Sequence, residues 1–164
     1  MNISSTNTQT VAQLHADRDL AVIRCSIDIA ATPSTVYAVW SDVSHWHLWD
    51  PETRWARLDG PFVAGSSGRI APQKGFPAKM HLVEATKDQS FTVVCPVLGS
   101  QMQFEHRIQA LGANLLVTHE VRFSGWLSGF LMRIVGSGLI RSLPNAMQGL
   151  KATCEEGKLG SDSN

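Results

Sequence analysis

The stretch from Gln101 to Phe123 leaves this chain little conformational freedom. Met102, Phe104, His106, Ile108 and Ala110 fall on one side of it, and Gln101, Gln103, Glu105, Arg107 and Gln109 on the other. A period of two, apolar against polar, predicts a half-buried strand. Leu115, Val117, His119, Val121 and Phe123 repeat the pattern, with Thr118, Glu120 and Arg122 opposite. Between the two lies Leu111-Gly112-Ala113-Asn114, a hairpin signal. A two-residue Gly112-Ala113 loop pairs Leu111 with Asn114, and His106 then stands directly across from His119. In the same register Phe104 meets Val121 and Ile108 meets Val117. Each histidine is the only ionisable group on its apolar face, so it needs a partner, a cavity or a ligand.

The rest of the chain reads around this hairpin. A first strand is expected over about Leu20 to Ala30. Thr32 then caps a helix with Pro33 in its first position. A short second helix or turn covers about Ser44 to Trp49 and stops at Asp50-Pro51, because the residue before proline avoids helical geometry. Further strands are expected at about Thr53 to Leu58, Gly68 to Pro72, Phe76 to Ala85 and Ser90 to Leu98, separated by turn chemistry. After Gly125 the period changes. Leu139, Leu143, Met147, Leu150 and Cys154 follow at steps of four, four, three and four, one apolar helical stripe. Pro144 sits inside it and is expected to kink or split the helix near Ser142. Seven antiparallel strands and one long amphipathic helix must bury their apolar faces on each other. A twisted sheet wrapped on one helix leaves gaps at its ends, which favours a pocket.

Composition excludes several function classes. The 164 residues fit one domain, long enough to bury roughly 70% of the unfolded surface without staples. Residues 1–18 and 157–164 read as polar tails, leaving a domain over 19–156. Fourteen basic and fourteen acidic residues cancel, which argues against nucleic acid and against electrostatic membrane docking. Cys25, Cys95 and Cys154 are an odd, widely spaced set, giving neither a disulfide framework nor a zinc site. The polar start of the chain lacks the basic and apolar regions of a signal peptide, and no apolar run reaches transmembrane length. A cytoplasmic protein without stable membrane insertion is the expectation.

One run of residues is more specific. Thr32-Pro33-Ser34-Thr35-Val36-Tyr37-Ala38-Val39-Trp40 and then Asp42-Val43-Ser44-His45-Trp46-His47-Leu48-Trp49-Asp50-Pro51 follow a first strand. Gly65-Ser66-Ser67-Gly68-Arg69-Ile70, Thr118-His119-Glu120-Val121 before Gly125, and Leu150-Lys151 add to it. Over about residues 20 to 156 the chain resembles the START-like, or SRPBCC, superfamily, and within it the polyketide cyclase/dehydrase-type branch. The resemblance implies an α+β helix-grip fold: a seven-stranded antiparallel sheet curved around a long C-terminal helix, with two short helices after the first strand. It also implies a cavity for a lipid-like, polyketide-like or aromatic molecule. Fold alone does not fix function.

Other groups admit a chemical and a plain structural reading. Trp40, Trp46, Trp49 and Trp55 could stack on a flat ligand, or simply anchor the short helices over the sheet end. His45 and His47 lack further ligands at metal-binding spacing. Glu105, Glu120, Arg107 and Arg122 share the outward face as ordinary cross-strand charges. Arg69 could reach the mouth of a cavity and hold a carboxylate, or lie on the surface. The strand from Phe91 to Leu98 is apolar on both faces, and Trp126 to Ile140 is apolar on several sides, so a second copy of the chain or a membrane could cover one of them.

Three function classes follow. The first is a binder of a small hydrophobic or aromatic ligand, without metal or organic cofactor. Its lining would be His106, His119, Phe104, Val121, Met102, Phe123, Met80, Trp49 and Arg69 with Leu143, Met147 and Leu150 from the helix. The second is a cofactor-free cyclase or dehydratase, in which a histidine moves a proton and Arg69 or Tyr37 steadies an oxyanion. The third is an interaction module without a ligand.

Overall fold

The computed structural model describes residues 11–159. Eight strands form one antiparallel sheet: β1 (Gln13–Asp17), β2 (Val22–Ile29), β3 (Thr53–Leu58), β4 (Ser67–Pro72), β5 (Ala78–Thr86), β6 (Ser90–Val97), β7 (Ser100–Leu111) and β8 (Asn114–Gly125). Their order across the sheet is β1-β2-β8-β7-β6-β5-β4-β3. The chain therefore builds a meander from β3 to β8, and β2 closes onto β8. Residues 13–17, read from sequence as part of a tail, instead form an eighth strand along β2. The rest of the expected N-terminal tail, residues 1–10, and the end of the C-terminal one, residues 160–164, lie outside the described residues.

α1 (Pro33–Ser41) begins as its first residues dictate. Thr32 is extended and its hydroxyl accepts from Thr35 N at 3.2 Å, with Pro33 in the first turn. A 3₁₀ helix over Val43–Leu48 follows. The C-terminal region starts with α2 (Ser128–Leu131), passes through a π-helical turn (Met132–Gly136) and continues as α3 (Ser137–Leu159). No break occurs near Ser142, and α3 runs unbroken through Pro144. The irregularity comes one turn earlier than α3. A proline removes one backbone bond, and the buried stripe around it holds the helix together.

That stripe is the core. Leu143, Met147, Leu150 and Cys154 of α3 and Ile23, Cys25, Ile27 and Ile29 of β2 are all at most 3% exposed. α3 packs along β2 and reaches α1 and β1. Lys151 Nζ donates to the Asp28 carbonyl at 2.7 Å and to Glu155 Oε1 at 2.8 Å, and Ala30 N donates to the same Glu155 oxygen at 2.8 Å. These bonds fix the helix axis relative to the end of β2. Gly149 allows the other close approach. A Cβ there would lie 2.2 Å from the Trp49 carbonyl oxygen, so only a glycine lets α3 touch the turn after the 3₁₀ helix.

Candidate functional site

The β7–β8 hairpin places both histidines on the concave face. Gly112 takes φ +60°, and Leu111 pairs with Asn114. His106 therefore faces His119, with Phe104 across from Val121, Met102 from Phe123 and Ile108 from Val117. The ring centroids of the two histidines are 3.9 Å apart at an angle of 41°. Phe91 of β6 stacks flat on the other face of His106, 3.9 Å away at 7°. Trp40 of α1 meets Phe91 edge-on at 5.2 Å and His106 at 5.6 Å. Phe104 approaches His119 edge-on at 6.2 Å. The result is a column of rings running from α1 through β6 and β7 to β8.

The polar atoms of this column are nearly all unmatched. His106 Nδ1, His119 Nδ1, His119 Nε2, Trp40 Nε1 and Trp49 Nε1 are buried and have no hydrogen-bond partner in the protein. Native interiors leave few such atoms, because each costs about 1–3 kcal/mol. Trp46 shows the ordinary solution: its Nε1 donates to the Trp40 carbonyl at 2.8 Å.

Burial sets the protonation states. It pushes the His119 pKa down to about 4. His106 is pushed well below the ordinary imidazole value, by burial first and by the neighbouring His119 second. Both rings are neutral at pH 7, and each then has one N–H donor and one acceptor nitrogen. Cys25 of β2 pairs with His119 on its other side. Burial raises that thiol to about 11, so it stays protonated, and the Cys25–His119 neighbours do not make an activated thiolate.

The concave face is not fully covered. Met102, Phe104, Ile108 and His119 on the hairpin are only half-buried, as are Leu139 and Ile140 on α3. The opposite, outer face carries a polar depression of about 450 Å³ lined by Arg24, Arg107, Arg122, Glu105 and Glu120 among others. There Glu120 is 7% exposed and accepts from Arg24 Nε at 2.8 Å and from Arg122 Nη2 at 2.7 Å. Arg107 bonds Glu105. The arginines offset two carboxylates that the register sets directly opposite each other, Glu105 against Glu120.

Comparison with known proteins assigns the fold and the family. A family model described as "Polyketide cyclase / dehydrase and lipid transport" matches residues 21–155. The chain belongs to this family. Solved structures agree on the fold of this family member. A protein from Arthrobacter aurescens aligns with a TM-score of 0.69 at 15% identity, covering 90% of this chain and 93% of its own. Protein NE0264 from Nitrosomonas europaea gives 0.68 at 14% identity, covering 88% and 99%. A START superfamily protein from Mycobacterium smegmatis gives 0.63 at 13%, covering 82% and 97%. Among curated proteins none matches in sequence.

Within this polyketide cyclase/dehydrase and lipid transport family member, the residues expected from sequence divide clearly. His106, His119, Phe104, Val121, Met102, Phe123 and Met80 lie on the concave face, and Leu143, Met147 and Leu150 face it from α3. Trp49 is buried at the end of the 3₁₀ helix, 6.4 Å from Trp46. Arg69 is not brought to them. It sits between Arg57 and Lys79 in the ladder, exposed and on the face opposite Met80. Tyr37 packs edge-on against Phe62 at 5.8 Å. Of the tryptophans, Trp40, Trp46 and Trp49 are at most 7% exposed and anchor the short helices. His45 bonds Asp42 at 2.7 Å on the surface, and no group of three metal-binding side chains occurs among the described residues. The described residues also hold no helix long and apolar enough to cross a membrane. Sequence reasoning missed Phe91 and Cys25 as members of the site. The alternation of Ile23, Cys25, Ile27 and Ile29 was the available signal for the last.

Proposed function

We propose that this chain binds a small, largely apolar or aromatic molecule between the concave face of its sheet and α3, with a carbonyl or hydroxyl of that molecule meeting the histidine pair. One observation carries this reading: the unmatched nitrogens of His106, His119 and Trp40 lie on an otherwise apolar face. A ligand oxygen there would satisfy two or more of them and recover the cost of their burial. The half-buried Met102, Phe104 and Ile108 supply apolar contact, as ligand sites of this kind require. The family description, which names both cyclisation or dehydration and lipid transport, is compatible with such a ligand.

The protonation states favour holding over proton transfer. A base with a pKa near 4 is weak at pH 7, and catalytic efficiency falls as the pKa leaves the working pH. A neutral imidazole still donates and accepts.

Native mass spectrometry of the protein as purified, followed by titration with 1-anilinonaphthalene-8-sulfonate, tests the reading. A co-purified small molecule or saturable probe binding is expected. Ile108→Trp, which fills the uncovered part of the face, should abolish it. His119→Leu should weaken it by about tenfold, the loss of one hydrogen bond of about 1.4 kcal/mol. Binding unchanged in both variants, or no binding to the wild type, overturns the proposal.

A further inference from the structure

β2, β8, β7 and β6 are consecutive in the sheet, and their charges all lie on one side of it. Arg24, Asp28, Glu105, Arg107, Glu120 and Arg122 are the charged residues of these four strands. The register sets Arg24 beside Glu120 and Glu120 beside Glu105, Arg122 beside Gln103, Arg107 beside Thr118 and Asp28 beside Leu116. Alternation then puts all of them on the outer face, with His106 and His119 on the concave one. The helix brings no charge to the gap either. Between Ser137 and Leu150 its one charged residue is Arg141, which is exposed. Lys151 is held by the Asp28 carbonyl and Glu155 at the end of β2. A polar group that reaches the histidines therefore meets no counter-charge on these elements.

It meets donors and acceptors instead. Trp40 Nε1 can only donate. A neutral imidazole with both nitrogens unmatched, as in His119, lacks one acceptor and one donor. His106 is 5% exposed and Trp40 is fully buried, and the ring centroids of Trp40, His106 and His119 follow one another at 5.6 and 3.9 Å. A carbonyl or an ether oxygen only accepts, so it leaves the imidazole lone pair bare. A carboxylate also only accepts, and it carries a charge into an apolar gap. To pair with it, an imidazole must take up a proton that burial keeps off both rings. A hydroxyl donates and accepts through one oxygen.

We infer that the molecule held at the histidine pair is an un-ionised alcohol or phenol, and that carboxylates of the same size are refused there. This rests on the ligand-binding reading above and names the chemical class that the site selects. The selectivity comes from what the concave face lacks, a fixed charge, as much as from the two imidazoles it has.

Three probes of one ring system separate the possibilities: 2-naphthol, which donates and accepts, 2-methoxynaphthalene, which only accepts, and 2-naphthoate, which is charged. Isothermal titration calorimetry with the full chain at about pH 7.5 keeps the histidines neutral and the naphthoate ionised. 2-Naphthol should bind about tenfold tighter than 2-methoxynaphthalene, the equivalent of one hydrogen bond, and at least tenfold tighter than 2-naphthoate. In His119→Phe the preference of 2-naphthol over 2-methoxynaphthalene should shrink to about twofold or less, because the ring stays and its nitrogens go. The inference is overturned if 2-naphthoate or 2-methoxynaphthalene binds the wild type as tightly as 2-naphthol, or if none of the three binds. Saturable binding of 1-anilinonaphthalene-8-sulfonate in the same preparation then leaves the ligand-binding reading standing, and its failure removes that reading as well.

Discussion

Acid should unfold this protein through its histidine pair, and the size of the effect can be worked out. His119 falls from the ordinary 6.5 to about 4 in the folded chain. The unfolded chain therefore binds more protons than the folded one between those limits, so stability is complete above about pH 6.5 and is lost as the pH falls towards 4. At about 1.36 kcal/mol per pH unit, that drop corresponds to about 3 kcal/mol, out of a total of roughly 5–15 kcal/mol for a domain. His106 shifts in the same direction and adds to the loss. Carboxylates such as Glu120, held below the usual range by Arg24 and Arg122 against the pull of burial, act at lower pH. The assay is urea denaturation at steps from pH 7.5 to 4.5, wild type against His119→Gln. Glutamine keeps a polar group at the site but cannot titrate. Subtracting the two curves isolates His119. The wild type should lose about 2.5 kcal/mol more than the variant across the range, a melting difference of roughly 5–10 °C. Parallel curves would mean that the ring is hydrated and charged in the folded state, and the description of the concave face would be wrong.

Three further substitutions probe the frame around the pair. Gly149→Ala should stabilise an exposed helix by about 1 kcal/mol on propensity alone; here the 2.2 Å approach to the Trp49 carbonyl should reverse the sign and lower the melting temperature in calorimetry. Phe91→Ala removes a fully buried ring that contacts His106, Trp40, Trp46 and Phe62, with an expected cost of about 3–5 kcal/mol by chemical denaturation. Glu120→Gln leaves Arg24 and Arg122 without their shared carboxylate and should cost about 1–2 kcal/mol, less at pH 3 than at pH 7.

The hairpin was legible in the sequence because two independent signals agreed on one register. Alternation fixed which faces are apolar, and a two-residue loop at Gly112 fixed the offset, so a slip of one residue would have turned both histidines outward. β1 was not legible for the converse reason. Gln13 to Ala16 are exposed, so ladder bonds to β2 rather than burial hold the strand, and hydropathy carries no trace of them. Pro144 misled because its penalty is local, whereas Leu143, Met147 and Leu150 bury the same helix face on both sides of it. The π-helical turn lies in a run that is apolar all round, where no periodicity marks a change of pitch. Arg69 was a question of parity. Its place beside Gly68, which β3 approaches so closely that a Cβ would meet the Arg57 carbonyl oxygen at 2.1 Å, decides its side of the sheet. The stacking of Phe91 on His106 depends on strand neighbours far apart in sequence, which spacing alone does not supply.

The sheet is open, with β1 and β3 at its two margins. Unpaired margins invite a neighbouring chain to add a strand and start aggregation. Both are guarded here. β1 offers only five residues, including His15 and Asp17. β3 shifts register between Thr53 and Trp55 and carries exposed Arg54 and Arg57, so that a templating strand would meet an interrupted ladder and a positive charge. The two margins should keep this protein dispersed at concentrations where a smooth eight-stranded sheet would form fibres.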